Sequence, residues 1–283
     1  MGTSPKSEVA SQTAFEELIK SISQRLRKIK YRIAVISGKG GVGKSFISAS
    51  LALGLALRKR RVGLLDADLH GPSIPKILGL EGRRLIAGPP GIFPVEGPLG
   101  VKVVSIQFLL ESEDSPVIWR GPLKSRAIME FLSGIVWGEL DYLIIDLPPG
   151  TGDEVLSIAQ WIRPFTGAVV VTIPSELSKT VVKKAIRFCK VLNMSVLGIV
   201  ENMSEFYCPD TGKTYKVFGK GVGQELAREY AIKYLGSIPL DPRISEANDK
   251  GEPFLLKYSD SPSAKALMEI VDKIIAIVEG RGT

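Results

Sequence analysis

Gly38-Lys-Gly-Gly-Val-Gly-Lys-Ser45 gathers four glycines, two lysines and a hydroxyl into eight residues, a composition suited to wrapping backbone around phosphate. Glycine lets the chain approach the phosphates closely and take dihedrals closed to other residues. The stretch fits the P-loop pattern, with Lys44 aimed at the β- and γ-phosphates of ATP and Ser45 at Mg²⁺. An apolar run precedes it and a helical pattern follows, so its N–H groups should converge at a helix N-terminus, where anions are favoured. Gly38, Lys39, Gly40, Gly41, Val42, Gly43, Lys44 and Ser45 are thus candidate ATP contacts.

Three aspartates close apolar runs further on. In Leu64-Leu-Asp-Ala-Asp68 two carboxylates stand two residues apart, so both point the same way on an extended chain. Asp146 ends Tyr142-Leu-Ile-Ile-Asp146 and resembles a Walker B carboxylate. Ser45, Asp66 and Asp146 form a candidate oxygen set for Mg²⁺, a hard cation that keeps part of its water shell. Asp68 is the candidate to position an attacking water, so Lys44 and Asp68 are the residues expected to act in ATP hydrolysis. A single aspartate often caps a neighbouring element, but three at strand ends fit that explanation poorly.

Such groups need a frame. Apolar runs predict strands at Arg32–Ser37, Val62–Asp66, Lys102–Ile106, Tyr142–Asp146, Ala168–Thr172, Val196–Glu201 and Tyr234–Ile238. Helical spacing predicts helices at Lys44–Lys59, Ser125–Val136, Glu154–Trp161, Ser178–Leu192, Gly223–Tyr230 and Ser263–Glu279. Continuously apolar strands alternating with helices predict an α/β fold, a doubly wound and mostly parallel sheet with helices on both faces. Ahead of it, Phe15, Leu18, Ile19, Ile22, Leu26 and Ile29 predict an amphipathic helix over Thr13–Lys30, with Thr13 and Glu16 fitting a capping box. Residues 1–30 therefore read as a polar tail and helix, and 31–283 as one P-loop ATPase domain. Gly71 to Gly100 reads as a long loop, and 203–221, around Cys208, as an inserted one.

Composition sets outer limits. Hydrophobic residues are 45% and charged residues 24%, as in globular proteins, and no run approaches the roughly 20 apolar residues that span a bilayer. Met1 to Ala10 lacks the apolar core of a signal peptide, and two cysteines make no disulfide framework, so a cytoplasmic location is expected. The chain has only Asn193, Asn202 and Asn248 as asparagines, a scarcity that fits a thermophilic source. Net charge is +7, yet the basic residues before Lys30 form no specific pattern and the apolar C-terminal segment is too weakly basic for an anchor. Neither nucleic acid nor a membrane surface is an expected partner.

Together with Gly63-Leu-Leu-Asp-Ala-Asp68, Gly71-Pro-Ser73, Trp119-Arg-Gly-Pro122, Asp141 to Asp153, Leu197 to Ser204 and Gly236 to Pro242, the P-loop resembles the Mrp/ApbC family. The resemblance runs from about Tyr31 to Pro253 and implies an ATPase that carries iron–sulfur clusters to apoproteins. Lys39 resembles the extra lysine of the deviant P-loop shared by the MinD, ParA and nitrogenase iron protein group. That likeness implies a homodimer in which Lys39 reaches the partner's nucleotide and joins Lys44 and Asp68 as a catalytic residue. Asn202 matches an adenine-reading asparagine, whose amide can both donate and accept, and Pro239 to Asp241 match a loop flanking the base.

One departure stands out. The family pattern Cys-Pro-X-Cys is Cys208-Pro-Asp-Thr211 here, so a dimer offers two cysteines where an iron–sulfur cluster normally takes four. Cys189, in an apolar helical pattern, reads as a core residue. Cys208 admits three readings: a relic in a protein that holds no cluster, a ligand of a labile cluster completed by Asp210 or a partner thiol, or a structural cysteine. His70, in the segment after Asp68, reads as a loop residue contacting backbone rather than a metal ligand. Against the carrier reading stand a nucleotide-switched scaffold and a positioning ATPase of the MinD/ParA kind.

Overall fold

The apolar runs lie side by side because each needs cover on both of its faces. The computed structural model describes residues 5–109, 121–208, 211, 213–219 and 221–280. Its strands are β1 (Ile29–Ser37), β2 (Val62–Asp66), β3 (Ile86–Gly88), β4 (Gly91–Phe93), β5 (Val95–Glu96), β6 (Lys102–Ser105), β7 (Leu140–Asp146), β8 (Gly167–Thr172), β9 (Val196–Glu201), β10 (Phe206–Tyr207), β11 (Thr214–Tyr215) and β12 (Tyr234–Ser237). Eight form one sheet in the order β12-β9-β8-β1-β7-β2-β6-β5, parallel throughout except for β5, which runs antiparallel to β6.

Alternation along each strand feeds two separate cores. Ile33, Val35, Tyr142, Ile144 and Leu64 enter one, and Ala34, Ile36, Leu143, Ile145 and Leu65 the other. The first core is covered by α2 (Lys44–Leu57), α3 (Ile74–Ile77), α8 (Pro242–Asp249), α9 (Phe254–Lys257) and α10 (Pro262–Glu279). The second lies under α1 (Pro5–Leu26), α4 (Gly121–Gly134), α5 (Asp153–Ile162), α6 (Glu176–Val191) and α7 (Val222–Glu229). The expected doubly wound α/β architecture, helices on both faces, is what the chain adopts.

Several local expectations are corrected. The first helix starts at Pro5, whose missing N–H costs nothing in a first turn, so Thr13 is interior and no capping residue. It ends at Leu26 because Ile29 already pairs with Leu140 in the sheet. Its apolar side packs on α4 and α5, with the Phe15 and Trp161 rings edge to face at 6.5 Å. The segment from Gly71 to Gly100 is not all loop: it holds α3, the β3–β4 hairpin and edge strand β5. The inserted 203–221 segment likewise contains the β10–β11 hairpin.

Register sets the site. On β7, Asp146 pairs with Asp66 of β2 on one side and Val35 of β1 on the other, so the ends of three strands converge below the P-loop.

Candidate functional site

Gly43 turns the chain from β1 into α2 with φ of 80°, a left-handed value that favours glycine, and a side chain there would strike the Asn202 amide. Gly38 packs against the Val181 carbonyl, again with no room for a Cβ. The loop between them leads into the N-terminus of a fourteen-residue helix.

Beneath the loop, Lys44 and Asp146 are both buried, with Nζ 2.7 Å from Oδ1. The Asp146 carboxylate also accepts from Ser45 Oγ and Ser48 Oγ, each at 2.6 Å. A buried carboxylate with three such partners is held in one orientation. Asp66, 2% exposed, accepts from Ser105 Oγ at 3.0 Å, and from the backbone N–H groups of Asp68 and Ile74. Burial, and then the charge of Asp146, push the Asp66 carboxyl up to about 8. Two buried carboxylates beside a serine hydroxyl, one of them destabilised in its charged form, are a donor set that fits Mg²⁺. Bound there, the ion would add positive charge beside the β- and γ-phosphates.

Lys39, Gly40, Gly41, Gly43, Lys44, Ser45 and Asp68 line a cavity of about 420 Å³, joined by Ser73, Lys76 and Asp249. Gly38 and Val42 do not line it, since Val42 turns its side chain into the core. Asp68 Oδ1 accepts from the N–H groups of His70 and Gly71, which orders the chain after β2. The His70 ring contacts Glu154 Oε2 at 3.0 Å, a side-chain contact to the first turn of α5 where a backbone contact is expected.

Asn202, Pro239 and Asp241 line an adjoining space of about 240 Å³, which meets the first at Gly43, Phe46 and Asn248. Asn202 is buried at the end of β9, and its Nδ2 donates to the Val42 carbonyl at 3.0 Å. The Asp241 carboxylate caps α8 by accepting from the Arg243 N–H at 3.0 Å and pairs with the Arg243 guanidinium. Its side chain thus holds the start of α8 while lining the base-side space. Sequence reading passed over Ser48, Ser105 and Asn248, which belong to no motif and reach the site only through the fold.

Cys208 stands elsewhere. It lines a larger space of about 840 Å³ with Phe206, Thr214 and Pro239 to Arg243, which shares the wall Pro239–Pro242 with the base-side space. Cys208 N–H donates to the Lys213 carbonyl at 2.9 Å, and Thr211 is exposed at the hairpin turn. Asp210, Trp119 and Arg120 lie outside the described residues. Among those described, no three His, Cys, Asp or Glu side chains group to hold a metal, and no helix is long and apolar enough to cross a membrane.

A parallel sheet whose strand ends feed a glycine-rich loop, a buried lysine and paired carboxylates defines a P-loop NTPase. Residues 28–275 match the family model of the ParA group described as NUBPL iron-transfer P-loop NTPase, and the chain belongs to that family. The iron-sulfur cluster carrier protein of Saccharolobus solfataricus is 57% identical over 258 residues, covering 91% of this chain and 87% of that protein. The human cytosolic Fe-S cluster assembly factor NUBP2 is 44% identical over 254 residues, 88% of this chain and 94% of the other. A nucleotide-binding protein of Archaeoglobus fulgidus, solved in complex with ADP, is 47% identical and superposes with a TM-score of 0.74 over 83% of this chain and 92% of its own. The Pyrococcus horikoshii MinD in complex with Mg-ADP, at 22% identity and a TM-score of 0.63 over 87% of this chain and 96% of its own, shares the fold.

Proposed function

We propose that this protein binds and slowly hydrolyses ATP as a homodimer and carries iron–sulfur clusters, or helps insert them, into apoproteins in the cytoplasm. The observation that carries the reading is the pair of adjoining spaces, one under P-loop groups and one under Asn202 and Pro239, which together suit a whole nucleotide. The ADP complex of the relative from Archaeoglobus fulgidus and the names of the carrier and assembly-factor relatives support it. Lys44 binds the phosphates, and Ser45, Asp66 and Asp146 hold Mg²⁺. Asp68 orients the attacking water, and Lys39 stabilises transition-state charge on the partner's nucleotide.

The test is phosphate release from Mg²⁺-ATP combined with light scattering under each nucleotide, followed by anaerobic reconstitution with iron and sulfide. ATP turnover, a nucleotide-dependent dimer, and iron and sulfide passed to an apo-ferredoxin are expected. A chain that stays monomeric with ATP, or that passes no iron and sulfide to the acceptor, overturns the corresponding part. A second reading, a nucleotide-switched scaffold without a cluster, is favoured by Thr211 standing where a cysteine ligand would stand. ATP-dependent dimerisation with no retained iron would select it.

A further inference from the structure

Three residues line both the phosphate-side and the base-side spaces: Gly43, Phe46 and Asn248. Of these only Asn248 carries a side chain able to hydrogen-bond. It sits in the last turn of α8, beside the fully buried Ala247, and its backbone carbonyl accepts from the N–H groups of Lys250 and Gly251. The residue is therefore fixed on both sides.

The Asn248 Oδ1 atom is buried and finds no hydrogen-bond partner among the described residues. A buried acceptor in this condition is uncommon and destabilising, and at the junction of two cavities a donor on a bound ligand would satisfy it. In a nucleotide, the group between phosphates and base is the sugar, and the donors it offers are its 2′- and 3′-hydroxyls. We propose that Asn248 is a sugar-reading residue: its Oδ1 accepts a ribose hydroxyl and makes the site selective for ribonucleotides over their deoxy counterparts. This assignment rests on the nucleotide site proposed above. It adds a specificity contact from α8, an element outside every phosphate motif.

The magnitude follows from leaving that acceptor unmet. A ligand that keeps the shape of ATP but lacks the hydroxyl buries the same oxygen without a donor, which weakens binding about tenfold. Replacement of Asn248 by alanine removes the acceptor and with it the discrimination.

Calorimetric titration of the full chain with ATP, 2′-deoxy-ATP and 3′-deoxy-ATP, each with Mg²⁺, tests this. One of the two deoxy analogues should bind wild-type protein about tenfold more weakly than ATP, and Asn248→Ala should bind it and ATP alike. Asn248→Asp, which keeps an acceptor oxygen, should retain the preference even if its charge weakens all three ligands together. Equal wild-type affinity for all three would overturn the sugar contact while leaving the nucleotide site standing. A discrimination that survives in Asn248→Ala would also overturn it. Failure of wild-type protein to bind ATP would overturn the site itself.

Discussion

Asn202 Nδ2 donates to the Val42 carbonyl oxygen at 3.0 Å, so the residue expected to read adenine also pins the middle of the P-loop to the end of β9. Both groups are buried, and removing the donor leaves a carbonyl without its partner. Asn202→Ala should therefore lower stability by about 1–3 kcal/mol and weaken ATP binding together. Urea unfolding and titration with ATP check the two effects. A variant that loses ATP affinity at unchanged stability would assign Asn202 to the base alone.

Lys44 carries a similar double duty. Its ammonium pairs with the wholly buried Asp146 at 2.7 Å, so Lys44→Ala should abolish ATP binding and also destabilise the fold by about 3–5 kcal/mol. The double change Lys44→Ala with Asp146→Asn removes the uncompensated charge. It should regain most of the stability and none of the binding. Recovery of binding in the double variant would show that Lys44 does not meet phosphate.

Lys39 and Asp68 both face the phosphate-side space without being buried. If Lys39 serves the partner's nucleotide, Lys39→Ala and Asp68→Ala should each bind ATP and fail to turn it over. Mixing them should restore activity, because each mixed dimer then contains one site with both groups intact. An inactive mixture, shown to exchange subunits, places Lys39 in its own site.

How far the sequence led depends on how local each signal is. The strands Val62–Asp66 and Val196–Glu201 end where their apolar runs end, because each is buried on both faces. Two-residue strands such as β10 and β11 are too short to show any period. The helix α8 escapes sequence reading because it buries Ala247 alone and opens at Pro242, directly after the Pro239 to Asp241 stretch that reads as loop. The partners of Asp146 within the P-loop follow from a motif, whereas Ser48 and Ser105 acquire roles only through packing and strand register. The asparagine scarcity had a second meaning. Asn193 takes φ of 52° at the end of α6, Asn202 holds the P-loop, and Asn248 lines the cavity, so each one that occurs has a local task.

The two cysteines should behave differently. Cys189 is wholly buried, and burial pushes its thiol up to about 12, whereas Cys208 is half-buried. At pH 8 iodoacetamide should label Cys208 and spare Cys189 until denaturant is added. The raised thiol keeps its proton in the folded chain after the unfolded chain has lost it. Stability should therefore be unaffected below about pH 9 and fall as pH rises towards 12, a decline that Cys189→Ala should reduce. Mass spectrometry and unfolding as a function of pH measure both. Rapid labelling of Cys189 in folded protein would show that α6 opens locally.

The final prediction concerns the cluster. Cys208 and Thr211 share the turn of the β10–β11 hairpin, where the backbone N–H of Cys208 donates to Lys213 and Thr211 faces solvent. A threonine hydroxyl is a poor ligand for iron, because it is a hard donor that keeps its proton at neutral pH. The proposed homodimer, with one thiolate from each protomer, should therefore hold a cluster weakly and lose it on desalting. Thr211→Cys places a second thiolate in the same turn and should raise the iron and sulfide retained after anaerobic reconstitution. Cys208→Ala should abolish retention in both backgrounds. ATP hydrolysis should survive Thr211→Cys, since the hairpin lies outside the space lined by Lys44 and Asp68. Full retention by the wild-type chain, unchanged by Thr211→Cys, would mean that a residue other than Thr211 completes the ligand set.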